Sequence, residues 1–192
     1  MKYIILALAA MASPVAMSMQ MTGFGANYYQ DDSSIPNYDT NMNLSPHVIV
    51  GDNIFVMEFS NIADIAKATG VTVNQGDQAS WLCLKSKDVD YWFISDNEMG
   101  QGDLTSIALT KSGQQKGCSS YSGDLSVSIK GVPLLKAPLE KLSSIFSSKP
   151  AGNVIQYCSE INYGDFTQMN CIKYYVENKN VSGLFISQIT AS

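Results

Sequence analysis

The chain contains the segment Leu104-Thr105-Ser106-Ile107-Ala108-Leu109, which has a counterpart 77 positions later in Val181-Ser182-Gly183-Leu184-Phe185-Ile186. Both segments are short and rich in β-branched or large apolar residues, so each of them predicts a strand. Apolar residues earlier in the two halves correspond at the same spacing, as Ile62 does with Leu139. A fixed spacing of this kind indicates an internal duplication.

A short amphipathic helix is predicted ahead of the strands in each half. In the first half Ser60 is a suitable N-cap, apolar residues follow at helical spacing from Ile62, and Gly70 can end the helix. In the second half Pro138 occupies a tolerated position in the first turn, and an apolar stripe begins at Leu139. The strands predicted beside these helices lie at 47–50, 80–85, 90–95, 104–110, 125–130, 153–161, 169–176 and 181–189. Residues 54–59 form either a further strand or a tight apolar connection.

This order of elements predicts the fold class and the domain organisation. We expect an α+β protein of two similar units, each a helix packed on an antiparallel sheet of three to four strands and stapled by a disulfide. Residues 19–46 are polar and show neither alternation nor helical spacing, which is typical of an arm. The expected divisions are a signal peptide at 1–18, a polar N-terminal arm at 19–46, a first α/β unit at 47–122 and a second at 123–192.

The helix and three strands of residues 60–110 and 137–189, each with a cysteine at Cys83 or Cys158, resemble a known architecture. They are similar to the tandem α/β repeats of the β-lactamase inhibitory protein type, and the small lipoprotein of the outer-membrane β-barrel assembly machinery is similar in its unit. This chain departs from those repeats by one clear helix per unit where a helical hairpin is expected. The resemblance implies an architecture and does not by itself imply a function.

Residues 1–18 have the parts of a secretory signal peptide. Lys2 supplies a positive charge, about nine apolar residues follow, and Ala16 and Ser18 suit cleavage before Met19. The apolar run is shorter than the roughly 20 residues of a membrane-spanning helix. We therefore expect a soluble protein that is secreted or periplasmic and has no membrane span.

Export makes disulfides the expected state of the four cysteines, because disulfides persist in an oxidising compartment. Three pairings are possible, and we favour Cys83 with Cys118 and Cys158 with Cys171, since each pair then lies within one half. Zinc is the alternative, but the chain has no C-x-x-C pair and its one histidine, His47, is distant in sequence. We expect no metal and no other cofactor.

The balance of charge limits the classes of partner. The chain has 17 acidic residues against 12 Lys plus Arg, for a net charge of −5. An acidic protein is unsuited to nucleic acid, whose phosphates require a basic surface. The charge favours another protein with a basic surface, because opposite charges accelerate encounter.

The supply of catalytic residues is poor. His47 is the only imidazole, every cysteine is expected to be oxidised, and no G-x-S-x-G motif occurs. Acidic residues remain at Asp96, Glu98 and Asp103, within a Gly-containing segment between two predicted strands. That segment is typical of a hairpin connection, and its alternative interpretations are a calcium loop or a pair of catalytic acids.

Aromatic residues provide the last candidate feature. Tyr91-Trp92-Phe93 places three rings in succession. Because successive side chains of a strand point to opposite faces of the sheet, at least one ring lies on the face opposite to the others. Most aromatic residues of a small domain belong to its core, but an excess on an open sheet face makes a recognition surface. The candidate binding residues are therefore Trp92, Asp96, Glu98 and Asp103.

These observations favour a non-enzymatic, exported protein-binding module, of the kind that acts as an inhibitor or immunity protein on an envelope or extracellular protein. A structural or accessory role in envelope assembly is the first alternative, since it too requires only a sheet surface. An acid-dependent hydrolase is the second.

Overall fold

The computed structural model describes residues 19–30, 34–111, 117–149 and 151–192. The predicted signal peptide lies outside the described residues. Strands hold 48% of the residues and helices 13%, so the protein is mostly β. The strands, in chain order, are β1 Asn37–Asp39, β2 His47–Val50, β3 Asn53–Phe55, β4 Asn74–Gln75, β5 Ala79–Ser86, β6 Val89–Asp96, β7 Ser106–Lys111, β8 Ser119–Ser120, β9 Leu125–Ser128, β10 Val154–Tyr163, β11 Phe166–Glu177 and β12 Asn180–Ala191.

Nine of these strands form one large mixed sheet. Their order is β1-β10-β11-β12-β7-β6-β5-β4, and β8 pairs with β5 beside this path. All neighbours are antiparallel except β1 with β10 and β8 with β5, which are parallel. A second, small sheet has the order β3-β2-β9 and joins residues from both predicted units.

The expectation of an α+β protein with a separate sheet in each unit is wrong. The corresponding segments of the two halves, β7 and β12, pair with each other, with Leu184 opposite Leu109 and Ile186 opposite Ile107. Each of these strands has an apolar run that is buried on both faces, so neither can serve as the exposed edge of its own sheet. Joining them removes two edges and produces a single continuous sheet.

Both helices pack on the same face of the main sheet, which we call the first face. Helix α1 spans Ile62–Thr69 and α2 spans Leu139–Ile145. Asn61, and not Ser60, caps α1, because its side-chain oxygen accepts a hydrogen bond of 2.9 Å from the Ala63 amide. Gly70 ends α1 with a φ of 72°. The helices and the small sheet share one apolar core with the strands.

The N-terminal arm covers part of the opposite, second face. Its residues Gly23–Tyr29 form a 3-10 helix. The Phe24 ring lies 5.1 Å from that of Tyr175 and 5.4 Å from that of Phe185, centroid to centroid. Only glycine fits at position 25, since a Cβ there would lie 2.6 Å from the Trp92 ring. The arm therefore closes a second, smaller apolar core over the sheet.

The two disulfides have the pairing favoured from the sequence. Cys83 is bonded to Cys118, and Cys158 is bonded to Cys171. The first joins β5 to the segment that carries β8, and the second lies between the adjacent strands β10 and β11. Among the described residues, no helix combines the length and the apolar character needed to cross a membrane.

Candidate functional site

One end of the main sheet gathers five segments of the chain, and we call it the acidic end. It consists of residues 57–61, 76–79, 96–105, 160–169 and 188–192. Backbone hydrogen bonds hold the segments together: the Leu104 amide donates to Ser60, the Asn97 amide to Gln78 and the Gln188 amide to Thr105. Residues 160–169 join through the β10–β11 hairpin and its pairing with β12.

The acidic end contains seven carboxylate side chains and no Lys, Arg or His. The carboxylates are those of Glu58, Asp77, Asp96, Glu98, Asp103, Glu160 and Asp165. Lysines are instead frequent at the opposite end of the sheet, for example Lys87 in the β5–β6 turn and Lys179 in the β11–β12 turn. The charge of the protein is thus unevenly distributed along the strands.

Exposed apolar side chains concentrate at the same end. Of the nine large hydrophobic side chains that are exposed in the described part of the chain, six belong to it. They are Phe59, Met99, Tyr163, Phe166, Met169 and Ile189. Phe59 is the most open, with 80% of its surface exposed. Met169 and Ile189 pair with each other on the second face, whereas Gln168 and Gln188, which contact the loop of Phe59, face the first. Apolar side chains are therefore exposed on both faces of this end, and exposed apolar groups that form a patch mark sites of interaction.

Glu58 fixes the loop that presents Phe59. Its carboxylate accepts hydrogen bonds from the Thr190 amide (2.6 Å), the Thr190 hydroxyl (2.6 Å), the Gln188 side chain (3.0 Å) and the Gln168 side chain (3.3 Å). Glu58 has a φ of 62°, a strained conformation for a residue other than glycine. The carboxylate therefore occupies the free edge of β12 beyond β7, where a further strand would otherwise bind.

A cavity of about 280 Å³ opens beside this loop. Phe59 and Met99 provide apolar walls, and Asp103 also lines the cavity. Thr105 and Thr190 line it too, but their hydroxyl groups already form hydrogen bonds within the protein. Both oxygens of Glu58, which also lines the cavity, already accept hydrogen bonds from neutral donors. The arrangement suits an amphipathic group that has an apolar stem and a positively charged end.

Asp96 has a structural position within the acidic end. One carboxylate oxygen accepts from the backbone amides of Glu98 (2.9 Å) and Met99 (2.8 Å), which shapes the turn after β6. The other accepts from the Tyr28 hydroxyl at 2.5 Å and so ties the arm to the sheet. Burial raises the pKa of Tyr28 well above its ordinary value, and the neighbouring Asp96 raises it further.

Of the other predicted binding residues, Glu98 and Asp103 lie at the acidic end and Trp92 does not. Trp92 is only 3% exposed and lies under the arm on the second face, so it belongs to the core rather than to an exposed recognition face. Glu98 is exposed in the turn, and Asp103 lines the cavity. Within the described residues, no three His, Cys, Asp or Glu side chains are grouped so that they could hold a metal ion.

Glu58 and Phe59 were not predicted as site residues from the sequence. They lie in a connection between a strand and a helix, where Phe59 resembles any apolar residue ahead of a helix. The role of Glu58 depends on its positive φ and on the register of β11 with β12, and no local pattern encodes either. The acidic residues of 96–103 were the only part of this site with a sequence signature.

Comparison with known proteins gives no assignment: no family model, no curated protein and no solved structure matches the chain.

Proposed function

We propose that this protein is an exported, non-enzymatic binding protein whose acidic end captures a partner protein with a basic and partly apolar surface. The observation that carries this proposal is the coincidence of two properties in the same five segments. Among the described residues, six of the nine exposed large apolar side chains belong to these segments, which contain seven carboxylates and no Lys, Arg or His of their own.

The two properties have complementary physical roles. A few buried side chains supply most of the affinity at a protein interface, and Phe59 and Met99 are of residue types that are enriched at interfaces. Carboxylates around them accelerate encounter with a basic partner and reject acidic ones. Nucleic acids and anionic membrane surfaces are both disfavoured, because the carboxylates of the acidic end repel phosphate groups.

Two disulfides support the proposed location outside the reducing cytosol. Within that setting, inhibition or neutralisation of one partner is our leading proposal for the role of binding. An accessory role in envelope assembly is the alternative. Deletion of the gene for this protein distinguishes the two roles. Loss of an assembly factor should alter membrane permeability, whereas loss of an inhibitor should change the activity of one hydrolase or toxin.

The hydrolase alternative has weaker support. Two catalytic acids must face one cavity, and Asp103 shares its cavity with Glu58. Glu58 is held by four hydrogen bonds from neutral donors, and Asp96 by three of its own. These hydrogen bonds favour a structural role for the two carboxylates, which position the loops, over a role as proton donor or acceptor in catalysis.

The test compares Phe59→Ala with the matched control Ile54→Ala, which removes an exposed apolar side chain from β3, outside the acidic end. The wild-type protein is immobilised, proteins from the secreted or periplasmic fraction are retained on it, and the retained partner is purified. We expect Phe59→Ala to raise the Kd for that partner at least about tenfold, as for a central aromatic residue of an interface.

Ile54→Ala should change the Kd less than twofold, and neither variant should alter the melting temperature by more than about 2 °C, since exposed substitutions change stability little. Equal affinity of Phe59→Ala and the wild type would contradict the proposal. An equal loss of affinity in Ile54→Ala would also contradict it.

A further inference from the structure

The outer edge of β10 is only partly paired. Cys158 and Cys171 are opposite each other with their Cα atoms 4.1 Å apart, which is the spacing of a non-hydrogen-bonded antiparallel pair. Residues 158, 160 and 162 therefore direct their backbone N–H and C=O groups away from β11. The Cys158 carbonyl fits this pattern, since it accepts from the Thr40 amide on the outer side at 2.8 Å.

Strand β1 stops before it reaches Glu160. Its pairing with β10 ends at Asp39 opposite Cys158, and the chain then turns away as the Met42 amide donates to the Thr40 hydroxyl. In the part of the chain that the structure describes, no hydrogen bond from the outer side reaches the backbone of Glu160 or Asn162. With respect to the described residues, the outer edge of β10 is therefore unpaired from Glu160 to Tyr163.

A cavity of about 410 Å³ lies against the start of this edge. The 39–43 segment forms one wall, and residues 158–161 of β10 form the other. Ser159 lines the cavity and is 6% exposed, yet its hydroxyl oxygen has no hydrogen-bond partner among the residues that the structure describes. A buried hydroxyl without a protein partner is uncommon in native structures, and its missing hydrogen bond is supplied by water or by a polar group that enters the cavity.

We propose that an extended peptide segment of a partner protein adds to the main sheet along Glu160–Tyr163, in line with β1, and inserts one polar side chain into the cavity at Ser159. This inference rests on the proposed function and adds the form in which the partner is recognised. Addition of a strand supplies backbone hydrogen bonds to Glu160 and Asn162, and the cavity provides selection by side chain.

Charge indicates which peptide is favoured. Asp39, Glu160 and Asp165 flank the unpaired edge, while segments 37–43 and 158–165 contain no Lys, Arg or His. Cross-strand pairs of opposite charge stabilise a sheet, and like charges destabilise it. The favoured segment therefore carries lysine or arginine at the positions that face solvent.

The test uses a library of capped hexapeptides with lysine at alternate positions and each of the coded amino acids at the central position. Binding is measured by titration, and amide hydrogen exchange is followed residue by residue. We expect the tightest peptides to slow exchange of the Glu160 and Asn162 amides. Methylation of the peptide nitrogens that face β10 should abolish binding, although the side chains are unchanged.

Variants of the protein complete the test. Asn162→Pro removes the outward N–H, and Asn162→Thr is its matched control, because both lose the hydrogen bond that Asn162 accepts from Thr167. We expect Asn162→Pro to weaken peptide binding at least tenfold and Asn162→Thr less than twofold. Ser159→Ala should weaken binding about fivefold and leave the melting temperature unchanged or higher.

Several results would overturn the inference. The inference is wrong if the N-methylated peptides bind as tightly as the unmethylated ones. This result is decisive even if Asn162→Pro does not fold. Absence of binding throughout the library, or a dimer of this chain that occupies the edge and excludes the peptides, would overturn it as well. None of these results would affect the test with Phe59→Ala, which measures the partner protein itself.

Discussion

Replacement of Trp92 by alanine should lower the free energy of unfolding by about 3–5 kcal/mol, the usual loss when a large buried aromatic side chain is removed. Trp92 is enclosed between β5, β7 and the arm. Its ring lies so close to Gly25 that a side chain at position 25 would collide with it. The cavity left by the substitution cannot collapse easily, since strands pair on both sides of β6. Urea denaturation followed by far-UV circular dichroism measures the change.

Phe59→Ala is the matched control for this prediction, because it also removes an aromatic ring but from an 80% exposed position. Its unfolding free energy should stay within about 0.5 kcal/mol of the wild-type value. A loss of less than 1 kcal/mol in Trp92→Ala would contradict the assignment of Trp92 to the core and would restore it as a candidate binding residue.

Removal of the Cys83–Cys118 disulfide by a double substitution to alanine should cost about 4 kcal/mol of stability. The two cysteines are separated by 35 residues, and the entropy of closing a loop of that length in the unfolded chain gives this magnitude. The disulfide also fastens β8, a strand of two residues, to β5. The change in unfolding free energy is measured by urea denaturation in the absence of reductant.

The second disulfide provides an internal comparison. Cys158 and Cys171 are 13 residues apart, so the same relation gives about 3 kcal/mol for their removal. We therefore expect the Cys83–Cys118 variant to be the less stable of the two. A larger loss on removal of Cys158–Cys171 would show that contacts in the folded state, rather than the length of the closed loop, determine the effect.

The individual elements could be predicted from the sequence, and their assembly could not. The positions of α1, β5, β6 and β10 follow from periodicity and turn residues, which are local properties. The pairing of β7 with β12 depends on contacts between distant residues. The one available indication was that Ile107-Ala108-Leu109 and Leu184-Phe185-Ile186 are apolar at successive positions, as in strands buried on both faces.

The candidate site was predictable only in its acidic residues. Asp96, Glu98 and Asp103 stand out because they flank glycines in a connection between strands, and all three do lie at the acidic end. The residue type of Trp92 favours a binding role, but its burial depends on the arm, whose contacting residues lie more than 60 positions away in the sequence. The exposure of Phe59 depends on Glu58, whose partners lie on β11 and β12.

The central claim is that the acidic end, and not the net charge of the protein, recognises a basic partner. Glu98→Lys and Glu177→Lys change the net charge equally and at exposed positions, but Glu177 ends β11 at the opposite end of the sheet. The measurement is the association rate of the retained partner with each variant at an ionic strength of about 0.15 M, where the Debye length is about 8 Å. We predict a loss of at least about tenfold for Glu98→Lys and less than twofold for Glu177→Lys, because screening limits each charge to roughly its own Debye length. Equal rates for the two variants would contradict the account.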